Sequence, residues 1–405
     1  MIHTLAFLAA AVITVYAYQA NVCTNEDVRV FARVNNKFGK DLLRLSNSEG
    51  NIFFSPSSLT SALSAIYFGA NGKTARDLTV LRYLSMQYQN VSSINPVLTY
   101  CLELLRTLKS TSRDYTLERA NAALVQEGYT ILQEYKDRLH ESFGTIVKNI
   151  DFEEQNEKAV EEINQWVTEK THGKISKLVD NLDEATKFLL LSAIYFKGTW
   201  QTKFDPENTE SRPFYNNGKN SPKSVLTMKL NTKFPYLYDP VNEYRALQLP
   251  YKGNSISMII VLPFERDGIE KLQQSITSET LIDILERVRE TQVTVFLPKF
   301  NIIHSMSLKD DLISAGLGSM FSTNADFSRI TGNKGLYVSD IIHKAVVEVN
   351  EEGSEAAAVT GAIFFPTSLE IPYDRNIFKA DHPFLFFIID NRSGSNLFIG
   401  RVTKL

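Results

Sequence analysis

A chain of 405 residues, 43% hydrophobic and 22% charged, is long enough to bury a large core. No Gly/Ser-rich or Pro-rich linker, low-complexity tract or repeat period cuts it, so one large domain is expected. A net charge of −3 gives no reason to expect nucleic-acid binding, and two cysteines cannot staple a fold of this size, so the core must hold it together.

The first segment, MIHTLAFLAAAVITVYA, carries an apolar run from Leu5 to Ala17. About a dozen apolar residues are too few to span a bilayer and suit the core of a secretory signal peptide. Residues 1–17 are expected to be removed after Val15-Tyr16-Ala17, with Ala20 as a fallback site, leaving a single domain over 21–405. A buried N-terminal helix is the alternative. The first reading makes the protein secreted and extracellular. Asn90-Val91-Ser92 and Asn391-Arg392-Ser393 are then glycosylation acceptors, while Asn220-Ser221-Pro222 is spoiled by its proline. Cys23 and Cys101 could pair in an oxidising compartment; a free, buried Cys101 is the other reading.

Beyond the leader, Val28, Phe31, Val34, Phe38, Leu42 and Leu45 recur three and four apart, which predicts an amphipathic helix over 27–45. Ser55 and Ser58 flank Pro56 at a helix start, and the following segment 59–68 is apolar nearly all round, hence central and buried. Further helices are predicted over 96–109, 131–143, 159–171, 278–289 and 307–315. Runs rich in Val, Ile and Phe predict strands over 123–126, 188–196, 244–250, 255–262, 292–297, 345–349, 384–389 and 397–402. Helices lead the first half and strands the second, an α+β pattern.

The chemistry of most enzymes finds no motif here. The six histidines are scattered, with no HExxH or CxxC, so no metal is expected. There is no GxSxG, no GxxxxGK[ST], and no GxGxxG after a strand. Ala315-Gly316-Leu317-Gly318 follows a helix and reads as a turn. No cofactor and no catalytic residue is expected. Arg106, Lys109, Arg113 and Arg119 cluster around the helix carrying Cys101, which allows a polyanion site; Glu103, Asp114 and Glu118 dilute the patch, and a solvated helix end is the blander reading.

One stretch has no pattern of its own. From Val349, VNEEGSEAAAVTGAIFFPTSLEIPYDRNIFKADHPF passes from charges around a glycine to small residues, two phenylalanines and a proline. Within it, HKAVVEVNEEGSEAAAVTG (His343–Gly361) and FKADHPFLFFI (Phe378–Ile388) resemble the hinge and C-terminal signature of the serpins. NIFFSPSSLTSAL at Asn51, THGKISKLV at Thr171, SAIYFKGTW at Ser192, LPYKGNSISMIIVLP at Leu249, LPKF at Leu297, DLISAGLGSMFSTNADFSRI at Asp311 and LFIGRV at Leu397 follow in the family's order.

The resemblance implies an α+β fold with a large central, mostly antiparallel sheet, two smaller sheets and about nine helices. It also implies a metastable native state, monomeric, with an exposed reactive-centre loop over about 351–377. A serine protease cuts the loop, which then inserts as a strand and carries the covalently attached protease with it. The residues answer for themselves on one point. In a strand, alternate side chains face the core. From Gly353, one set is Ser354, Ala356, Ala358, Thr360, Ala362 and Phe364, small or apolar and uncharged; the other is Glu355, Ala357, Val359, Gly361, Ile363 and Phe365. No proline interrupts either set before Pro366. A non-inhibitory carrier or chaperone of the same fold is the alternative.

Residue by residue, the resemblance places Glu351 in a pair with Lys299, Trp200 at the sheet opening, the hinge over Glu351, Glu352, Gly353, Ser354, Glu355, Ala356, Ala357 and Ala358, and Ser55, Ser58, Ser192 and His343 in a polar cluster beneath the sheet. Ser192 stands where the family usually has asparagine, which removes an amide's two-sided hydrogen bonding. Taking Glu351 as the seventeenth residue before the cut places the scissile bond at Thr367-Ser368, suiting an elastase-like protease. Counting back from FKADHPF gives Glu370 and an acid-preferring protease instead.

Overall fold

The computed structural model describes residues 25–46, 50–78, 114–353 and 376–405. Nine α-helices lie among them: α1 (Asn25–Leu45), α2 (Pro56–Gly69), α3 (Gly72–Asp77), α4 (Gln133–Phe143), α5 (Asn156–Lys170), α6 (Ile269–Ser275), α7 (Ser278–Arg287), α8 (Lys309–Leu312) and α9 (Ser328–Thr331). The strands are β1 (Ile52–Phe54), β2 (Tyr115–Gln126), β3 (Ile146–Ile150), β4 (Phe188–Gly198), β5 (Glu210–Phe214), β6 (Lys223–Asp239), β7 (Tyr244–Pro250), β8 (Ile256–Pro263), β9 (Arg289–Pro298), β10 (Phe300–Ser307), β11 (Asp340–Val349), β12 (Ile377–Lys379), β13 (Phe384–Asp390) and β14 (Ser395–Val402).

Five strands form the central sheet in the order β10-β11-β4-β2-β3. β10 with β11 and β4 with β2 run antiparallel; β11 with β4 and β2 with β3 run parallel. The other nine strands form one path, β1-β14-β13-β8-β7-β6-β9-β12, with β5 on β6. The two smaller sheets expected from the sequence are joined because β6 pairs with β9 over Thr227–Tyr236 and then with β7 over Tyr236–Asp239.

The central helix α2 starts as its sequence dictates: Ser55 is extended, its Oγ accepts from Ser58 N at 3.2 Å, and Pro56 sits in the first turn. Every α2 residue except Tyr67 and Phe68 is buried, as an all-round apolar helix requires. It packs between the central sheet and β14, beside the Phe38–Leu42–Leu43 stripe of α1. The outer face of β2 and β4 is covered by Ala159, Ile163 and Val167 of α5.

Several boundaries differ from the predicted ones. The helix expected over 307–315 is four residues of α8 followed by a wide turn over Ile313–Leu317, with Gly316 at φ 86. Ser307 instead ends β10 and donates from Oγ to Asp340 Oδ1 at 2.8 Å. β2 and β11 begin earlier than predicted, at Tyr115 and Asp340. Strands β1, β3, β5, β6, β10 and β12 had no sequence prediction. Arg119 lies half-buried on β2 and not at a helix end; burial lowers its pKa to about 10. Among the described residues no helix is long and apolar enough to cross a membrane, and no group of three or more His, Cys, Asp and Glu could hold a metal ion.

Candidate functional site at the head of the central sheet

The parallel ladder between β11 and β4 runs from Asp340↔Leu189 to Val347↔Phe196 and stops there. Above it, Glu348 and Val349 pair only with β10, and Lys197 and Gly198 only with β2. The two middle strands of the sheet therefore part at their upper ends, where the chain leaves β11 through Asn350, Glu351, Glu352 and Gly353.

A latch closes this fork. Trp200 is buried and stacks on Tyr251, ring centroids 4.5 Å apart. Its indole Nε1 donates to Asn350 O at 2.9 Å, and its backbone N donates to Glu352 O at 3.0 Å. Phe204 N donates to Glu351 O at 2.9 Å. Gly353 has φ 76, and a Cβ there would overlap the Gly198 carbonyl and the Trp200 backbone nitrogen. Only glycine combines that left-handed backbone with so close an approach.

Glu351 is 8% exposed. Its Oε2 lies 2.7 Å from Lys299 Nζ; its Oε1 accepts from Lys299 at 3.0 Å and from Thr209 Oγ1 at 2.8 Å. Burial pushes this carboxyl up, but the Lys299 and Thr209 hydrogen bonds and the lysine charge outweigh it and hold it below the ordinary carboxylate range. The pair predicted from sequence is thus in place, and more buried than a surface pair. Thr209, Phe204 and Tyr251 were not anticipated: each lies far along the chain from Glu351, and no local pattern marks them.

Halfway down the ladder, His343 stands opposite Ser192, both with no exposure. Ser55 N donates to His343 Nε2 at 3.0 Å, so that nitrogen must be the acceptor. The proton then sits on Nδ1, 3.1 Å from Ser192 Oγ, and Ser192 Oγ lies 2.8 Å from Ser58 Oγ. Burial first, and His304 second, lower the His343 pKa to about 3. One hydroxyl therefore joins the helix start to the sheet where an amide was expected. The Ser192–His343 pair is no nucleophile and base, because the imidazole is buried and its free nitrogen already accepts a backbone N–H.

Of the hinge residues, Glu351, Glu352 and Gly353 are described; Ser354, Glu355, Ala356, Ala357 and Ala358 lie outside the described residues, as do Thr367, Ser368 and Glu370. Cys23, Cys101, Asn90, Arg106, Lys109, Arg113 and the leader also lie outside them. Asn391 is exposed, but its Nδ2 donates to Asn254 O at 2.8 Å and to Ser257 Oγ at 2.7 Å. An N-linked sugar leaves that nitrogen one hydrogen, so a glycan there would cost one of these bonds.

A buried latch over a fork between two parallel strands, with a polar cluster beneath their midpoint, is what the hinge motif leads one to look for. A family model described as serpin (serine protease inhibitor) matches residues 33–405. The chain belongs to the serpins. This serpin is 39% identical over 390 residues to Iripin-8 of Ixodes ricinus, covering 94% of this chain and 95% of that one. It is 40% identical over 376 residues to Intracellular coagulation inhibitor 1 of Tachypleus tridentatus, covering 92% and 88%. Its structure matches that of human thyroxine-binding globulin complexed with thyroxine at a TM-score of 0.84 and 28% identity, covering 93% and 99%.

Proposed function

We propose that this serpin is a secreted, monomeric suicide-substrate inhibitor of serine proteases, cut at Thr367-Ser368 by an elastase-like enzyme. The observation that carries the reading is the β4–β11 fork. A segment leaving the top of β11 and turning back down between the two strands would run antiparallel to both. One parallel ladder would be exchanged for two antiparallel ones, the better-paired arrangement per residue. The uncharged, small side-chain set from Ser354 to Phe364 suits burial in that slot. The alternation supports an inhibitor over a carrier of the same fold, and the name of the Tachypleus relative supports the same class. The leader 1–17 and the acceptor Asn90 support secretion.

Incubation with pancreatic and neutrophil elastase, chymotrypsin, cathepsin G, trypsin and an acid-preferring granzyme, read on denaturing gels with mass spectrometry of the released peptide, tests this. A covalent band with a peptide starting at Ser368 is expected. A peptide starting at Ile371 would move the bond to Glu370. Cleavage by every protease without a covalent band would refute the inhibitor reading and leave a carrier. N-terminal sequencing of the secreted chain should begin at Tyr18, or at Asn21 for the fallback site.

A further inference from the structure

The outward face of β6, β9 and β12 carries a cationic surface that the latch and the loop do not use. Lys229 stands opposite Phe296, which stands opposite Lys379. The Arg212 guanidinium lies 4.4 Å from the centroid of the Phe296 ring, and Lys229 Nζ 5.9 Å from it. Two residues along each strand, on the same face, come Asn231, Thr294 and Ile377, and beyond them Lys233 opposite Gln292. With strands about 4.8 Å apart and about 3.3 Å per residue along them, these cations occupy about 10 by 14 Å. The other face of the ribbon is core: Met228, Val293, Val295, Leu297 and Phe378 are buried.

Half of the charge on this surface is neutralised in place and half is not. Arg212 pairs with Glu210 at 2.9 Å and Lys379 with Asp381 at 2.9 Å. Lys229 and Lys233 are exposed, and among the described residues no carboxylate lies within ion-pair reach of either. β6 has no acidic residue between Lys223 and Tyr238; Glu290, opposite Pro235 at the far end of the ribbon, closes the face.

We propose that this face is a second docking surface, for an acidic surface segment of the protease that the loop engages. The inference rests on the inhibitor reading above and adds the chemistry of the partner. Two features favour a protein over a sulfated polymer. The face mixes cations with their own carboxylates and with the half-buried side chains of Phe296 and Ile377, and an aromatic beside an arginine suits a protein contact better than a uniform charge track. It also begins where the loop ends: β12 starts at Ile377, one residue after the described chain resumes, so a protease bound to the preceding segment is tethered through the chain to this edge. Cations there steer an acidic partner on approach and act mainly on the association rate.

The test is the double charge reversal Lys229→Glu with Lys233→Glu, with Lys229→Ala as a milder form and thermal melting as the check on folding. Second-order rates of covalent-complex formation are measured against each protease of the panel, from low salt to about 1 M. For the protease that fits, the reversal should slow association on the order of tenfold at low salt, and the gap should close as salt screens it. Complexes forming at unchanged rates and salt slope with every protease would overturn the docking surface and leave the inhibitor reading intact. No covalent complex with any protease would overturn both. Unchanged protease rates with lost retention on heparin–agarose would assign the face to a sulfated polymer and overturn the proposal.

Discussion

Replacing Lys299 by methionine removes the charge facing Glu351 and keeps most of the side-chain volume. Glu351 Oε2 then loses its 2.7 Å partner, and Oε1 keeps only Thr209. An exposed ion pair contributes up to about 1 kcal/mol, and breaking a fully buried one costs about 3–5 kcal/mol. The side chains here are 33% and 10% exposed, so a loss of about 2 kcal/mol is expected. If the latch is broken when the fork opens, that loss appears in the barrier, and spontaneous conversion to loop-inserted or polymeric forms speeds about 30-fold. Native gels after incubation at moderate heat measure the rate. The sharper assay is the cycle with Glu351→Gln. Removing both charges leaves no buried unpaired ion, so the double variant should convert more slowly than Lys299→Met alone. The ratio of variant to wild-type rate should also shrink in acid. The folded pKa of Glu351 is depressed, so the pair's contribution is complete above the unfolded value of 4.5 and lost as pH falls through the folded one. Additive effects of the two substitutions, or a rate within twofold of wild type, would refute the latch argument.

Gly353→Ala forces a Cβ against Gly198 and Trp200 at positive φ; about 1–2 kcal/mol of backbone strain alone should raise the conversion rate about tenfold by the same gel assay. Ser192→Ala leaves the His343 Nδ1–H buried without an acceptor, which should cost about 1–3 kcal/mol in urea unfolding. His343 itself makes the fold acid-sensitive. Its folded pKa is about 3 against 6.5 unfolded, so its contribution is complete above 6.5 and is lost progressively as pH falls toward 3. About 2 kcal/mol should be gone by pH 5, and His343→Asn should flatten the difference between urea midpoints at pH 7 and pH 5.

The elements that sequence resolved well are those whose pattern is one-sided or wholly apolar. β8 and β13 were predicted within a residue because they are fully buried apolar runs ended by turn residues, and β7 at its observed bounds because buried Tyr244, Ala246, Leu247 and Leu249 are set among half-buried Arg245 and Gln248 between turns. β6 escaped because one of its faces carries Lys223, Lys229 and Lys233, and Pro235 sits inside it. That proline is opposite Glu290 near the end of the ladder, where its missing donor matters least. β3 and β5 are five residues each and half exposed, too short for a periodic signal. The site divides the same way. Glu351, Lys299, Trp200 and His343 came through a motif, but the motif could not supply the partners that long-range folding brings to Glu351 from Thr209 and Phe204. It also could not show that Ser192, despite losing an amide, still spans the gap between Ser58 and His343.

β12 sets a further condition. It is three residues long, lies at the end of its sheet, and among the described residues pairs with β9 alone. Three rungs at about 1 kcal/mol each and the buried Phe378 ring, about 2–3 kcal/mol, fasten the trailing end of the segment that begins at Gly353. A cut segment has slack without limit. An uncut one has only what its own length allows, and drawing it into the fork pulls on this short fastening. If the proposed insertion occurs without a cut, β12 with its three rungs is what must peel away, and the molecule is used up with no protease caught. Under that mechanism, how long it stays ready is decided at both ends of that segment.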